Sequence, residues 1–69
     1  MYNTLARNIR QQRQAAGLSQ EVLAELSGLS QTWISRLEHG DANPTMETLT
    51  SLAQALEIDV AALLTERAV

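Results

Sequence analysis

At 69 residues the chain has room for one domain around one small core. It has no cysteine and one histidine, His39, which excludes disulfides and thiolate metal sites and leaves no expectation of a metal or other cofactor. The net charge of −3 argues against a nucleic-acid partner until its distribution is read: residues 1–40 carry four arginines against three glutamates (+1), residues 41–69 one arginine against five acids (−4), and lysine is absent.

The opening stretch lacks a long apolar run, so neither a signal peptide nor a membrane span is expected; a cytoplasmic protein without a membrane partner is. Leu and Ala dominate the apolar residues and strand-type runs are missing, which predicts an all-α domain. A first helix is predicted over about residues 4–16 with Asn3 as its N-cap. Leu5 and Ile9 face inward and Arg13 extends their stripe, whereas Arg7 and Arg10 lie outside. Gly17 ends this helix and Leu18 drops into the core.

Ser19 caps a second helix at about residues 20–27, and Ser30 caps a third at about residues 31–38, which Gly40 stops. A polar loop of Asp41, Ala42, Asn43 and Pro44 follows, extended at Asn43 because it precedes proline. Thr45 caps a fourth helix at about residues 46–56 with an apolar stripe of Leu49, Leu52, Ala53 and Leu56. Asp59 caps a short fifth, about residues 60–66, presenting Val60, Leu63 and Leu64. Five short helices with short connections predict a compact bundle.

The spacing within residues 20–38 is the specific signal. Counting from Gln20, a small residue (Ala24) comes fifth and a glycine (Gly28) ninth. Branched apolar residues (Ile34, Leu37) come fifteenth and eighteenth. Gly28 suits a sharp turn needing positive φ, and Ala24 lets the next helix cross closely. That is a helix-turn-helix.

The same residues, with Leu18-Ser19-Gln20, Leu23-Ala24, Gly28-Leu29-Ser30, Ile34-Ser35-Arg36-Leu37-Glu38, Gly40, Asn43-Pro44 and Leu49, resemble the lambda-repressor/Cro-like (XRE) helix-turn-helix domains. The resemblance covers about residues 5–65. It implies a five-helix lambda-repressor-like fold, operator binding as a homodimer, and transcriptional regulation in bacteria or phage. It also implies a pairing of Arg13 with Glu38, tying the first helix to the end of the third. The fifth helix is implied as the dimer contact, here Val60, Leu63 and Leu64, placing two recognition helices about 34 Å apart on a palindrome; the alternative is that these side chains close the domain's own core. Departures are Val22 and Leu26, outward positions where the family usually carries polar residues, and Ser27, where an apolar residue is common.

With Ile34 and Leu37 inward, steps of about 100° per residue cluster Thr32, Ser35, Arg36 and His39 outside, with Gln31 and Trp33 on the flanks. A helix fits the major groove of double-stranded DNA, where Gln pairs with adenine and Arg with guanine. Gln31, Thr32, Ser35 and Arg36 are therefore the expected base contacts. Gln20, opening the second helix, is an expected phosphate contact through its backbone N–H and its amide. Asn43, His39 and Arg10 are further phosphate candidates, with a plain solvated role as the alternative for His39 and Arg10. Trp33 either stacks along the sugar-phosphate wall or folds back over the first or second helix, and the two do not exclude each other.

Other classes fare worse. Glu21 and Glu25 suggest paired carboxylates but read as a solvated helix face, and no nucleophile–base pair or phosphate-cradling loop accompanies them, so no enzyme is expected. The rival is a protein-binding helix-turn-helix, contacting a toxin or RNA polymerase, favoured by the acidic balance. Within the regulator reading, a restriction-modification controller, an antitoxin and a phage-type repressor all fit.

Overall fold

Polar residues at the helix starts and glycines at the ends set the architecture. The computed structural model describes residues 2–65, with side chains from residue 4 onward. Its helices are α1 (Tyr2–Ala15), α2 (Gln20–Ser27), α3 (Gln31–Glu38), α4 (Met46–Leu56) and α5 (Val60–Leu64), and no strand occurs among the described residues. Ser19, Ser30 and Thr45 are extended, and their hydroxyl oxygens accept from the N–H groups of Val22, Trp33 and Thr48 at 3.1, 3.0 and 3.2 Å. Each cap satisfies a donor that the first helical turn leaves open. Gly28 adopts φ 74°, which lets its own N–H and that of Leu29 converge on the Ala24 carbonyl at 3.0 and 3.1 Å. A Cβ there would meet nothing within 4 Å, so the backbone dihedral alone calls for glycine.

The helix ends differ from expectation in four places. α1 is already helical at Tyr2, so Asn3 lies inside it rather than capping it. It also stops at Ala15, one residue early. Asp59 holds the N-cap position of α5 without a side-chain bond. α5 ends at Leu64, and the expected end at Glu66 lies outside the described residues. The turn after α4 is made by Glu57 at φ 59°, a left-handed non-glycine residue that no turn signal announced.

The helices pack in a closed circuit. α1 lies against α3 and α5, α2 against α3 and α4, and α4 against α5. Ile9, Leu23, Ile34, Leu37, Leu52 and Leu63 fill its centre. This corrects the placement of Leu63 on a dimer surface: it is 0% exposed within this one chain. A single short helix bridging α1 and α4 must turn one large side chain fully inward, and Leu63 is that residue. Val60 is half-buried against the core, and Leu64 stays 49% exposed. Ser27 is half-buried and donates to the Leu23 carbonyl at 2.7 Å, so its hydroxyl is satisfied locally. Val22 and Leu26 point outward, 38% and 58% exposed.

No sequence pattern signalled the role of Asn8. It is 2% exposed, and its amide nitrogen donates to the carbonyls of Leu63 and Thr65, both at 2.9 Å. This clamp fixes the end of α5 on α1. Asn8→Ala should cost about 1–3 kcal/mol, the range for stranding buried carbonyls, as a lowered urea midpoint. Asn8→Asp should cost more, because a buried carboxylate would face two carbonyls with no donor between them. Among the described residues, no helix is long and apolar enough to cross a membrane.

Candidate nucleic-acid interface

The site is built by α3 and by what holds it. Ser30 starts the helix, Ile34 and Leu37 bury its inner face, and Gly40 at φ 76° ends it. Outward it presents Gln31, Thr32, Arg36 and His39, all exposed, with Ser35 half-buried. Gln31, Thr32, Ser35 and Arg36 line one open cleft of about 300 Å³ together with Gln20 from α2. The cleft wall therefore offers amide, hydroxyl and guanidinium groups, the inventory that reads base edges.

Behind this face, Glu38 is a buried hub joining three helices. Arg13 grips its carboxylate in bidentate fashion, Nε to Oε2 at 2.6 Å and Nη2 to Oε1 at 3.1 Å. Arg13 Nη1 also donates to the Leu18 carbonyl at 2.9 Å. The hydrogen bond to Glu38 raises the Arg13 pKa, partly opposed by burial and aided by the carboxylate charge, so this guanidinium stays charged. Arg10 Nη1 donates to the backbone carbonyl of Glu38 at 3.0 Å, at the negative end of α3. Gln20 Nε2 donates to Glu38 Oε1 at 3.0 Å. A carboxylate only accepts, so the nitrogen of this amide faces Glu38 and its oxygen turns elsewhere.

These bonds change how several expected residues are understood. Gln20 does line the cleft, but one amide hydrogen is committed inward. Arg10 is exposed yet anchored to α3. Arg7, expected outside, is half-buried, with Nε and Nη2 enclosed and unpartnered. Trp33 is half-buried and packs against the core. His39 Nδ1 lies 2.7 Å from the Ser35 carbonyl. Asn43 is exposed on the loop before α4. Sequence reasoning missed the Gln20 and Arg10 bonds to Glu38, which join residues 18 and 28 positions apart. It also missed Arg36 lying over Trp33, for which the three-residue spacing on one helix was an available signal.

Comparison with known proteins fits this geometry. The family model for helix-turn-helix domains of the HTH_3 type matches residues 9–63. Control protein C.SmaI of Serratia marcescens is 48% identical over 63 residues, covering 91% of this chain and 75% of that protein. The uncharacterized HTH-type transcriptional regulator y4dJ of Sinorhizobium fredii is 42% identical, covering 94% of this chain and 84% of that one. The crystal structure of the restriction-modification controller protein C.AhdI from Aeromonas hydrophila superposes with a TM-score of 0.88 at 37% identity, over 90% of this chain and 94% of the other.

Proposed function

Because the chain belongs to the HTH_3 (XRE-type) helix-turn-helix family of DNA-binding transcription regulators, we propose that it binds a palindromic operator as a two-fold dimer, with α3 in the major groove. The observation that carries this is the open outer face of α3, where Gln31, Thr32, Ser35 and Arg36 share one cleft. In this reading Gln31 pairs with adenine and Arg36 with guanine, while Thr32 and Ser35 meet neighbouring base edges. Gln20, Asn43 and His39 contact phosphates and set the register. The dimer uses exposed Leu64 flanked by Val60. The similarity to C.SmaI and C.AhdI supports a restriction-modification controller acting in the cytoplasm.

Binding-site selection from random duplexes at two salt concentrations tests the proposal. A palindrome is expected, and Arg36→Ala should relax one position per half-site by about 1–3 kcal/mol. An even loss on every sequence would instead make Arg36 a phosphate contact. The exposed Val22 and Leu26 on α2 favour the second reading, a protein-docking module. A folded protein that shifts no duplex in a gel would select it.

A further inference from the structure

Trp33 and Arg36 stand three residues apart on α3, a spacing at which helix side chains meet. The Arg36 guanidinium carbon is 5.5 Å from the centroid of the indole ring, within cation–π range. The ring is held from behind: Trp33 is half-buried, packs on the core, and has its backbone N–H fixed by Ser30 Oγ at 3.0 Å. Arg36, by contrast, is exposed, and Nη2 makes a long 3.3 Å bond to the Asp41 carbonyl. A free arginine on a helix face samples many rotamers, and fixing it on binding costs entropy.

We propose that Trp33 is a positioning residue for specificity, holding the Arg36 guanidinium at the mouth of the cleft so that it meets its base pair already oriented. This rests on the reading of Arg36 as a base contact. Asp41 occupies one of the five guanidinium N–H donors, and four remain, enough for a bidentate contact with guanine. A tryptophan that touched phosphate would add affinity on every sequence. A tryptophan acting through Arg36 alters selectivity at one base pair.

Site selection and salt titration with Trp33→Leu, Trp33→Phe, Arg36→Ala and the Trp33→Leu/Arg36→Ala double variant test this. Trp33→Leu should lower discrimination at the Arg36 position roughly two- to fivefold, the size of an exposed cation–π contact. Other positions and the slope of affinity against salt should hold. Trp33→Phe should restore most of the discrimination, and the double variant should be no less selective than Arg36→Ala. An even loss across all sequences, or a shallower salt slope, overturns the proposal. If Arg36→Ala relaxes a position and a folded Trp33→Leu does not, the proposal alone fails. If Arg36→Ala relaxes none, the base reading fails and takes the proposal with it. Should Trp33→Leu not fold, NMR of the unsubstituted protein decides: Arg36 δ-proton resonances are expected upfield from the ring current, and ordinary positions overturn the stacking.

Discussion

Glu38→Ala should cost about 3–5 kcal/mol, the range for stranding one partner of a buried ion pair. Native proteins have only about 5–15 kcal/mol in total, so the loss removes a large share of the stability and is expected as a clearly lowered denaturation midpoint. The loss has identifiable parts. Arg13, its side chain 13% exposed, would keep its charge with no carboxylate to meet its Nε and Nη2. Gln20 would lose its acceptor, and α1, α2 and α3 would lose the point where they join. Urea denaturation followed by circular dichroism measures this. A control separates the stranded charge from the worth of the pair: Arg13→Leu with Glu38→Leu should recover much of the loss, since apolar replacement of both partners is often close to neutral. A double variant as unstable as Glu38→Ala would contradict that account.

Leu63 and Leu64 are adjacent and should behave oppositely. Leu63→Ala is expected to cost about 2–5 kcal/mol, as for a leucine truncated in a packed core, because Leu63 is wholly enclosed. Leu64→Ala should change unfolding of the isolated domain by less than about 0.5 kcal/mol, the usual size of a surface substitution. If the proposed dimer uses Leu64, a folded Leu64→Glu variant should sediment as monomer. A Leu64→Glu dimer as tight as the parent would reject that surface.

How much of this was legible in the sequence depended on the range over which each signal acts. The caps at Ser19, Ser30 and Thr45 and the corner at Gly28 are local devices, and they locate α2, α3 and the start of α4 where expected. The outward face of α3 followed from two buried residues and the helical period. The contacts of Asn8 were not legible, because its partners lie 55 and 57 positions away and are backbone carbonyls, which carry no residue identity. The left-handed Glu57 was hidden because nothing in its side chain requires that conformation. The choice between Leu63 and Leu64 was hidden because a five-residue helix is too short for periodicity to distinguish its faces. Periodicity could set Arg13 on the inner stripe, but its glutamate partner came only from the family resemblance.

The handling of cations has a kinetic consequence. Lysine is absent, and among the described arginines Arg13 is locked to Glu38, Arg10 is anchored at the end of α3 and Arg7 is half-buried, which leaves Arg36 on the outer face of α3. A protein that neutralises few phosphates is held weakly by arbitrary duplex and has little to keep it gliding along the polyanion. On the operator reading, its expected route to a target is repeated collision and release from solution rather than one-dimensional scanning.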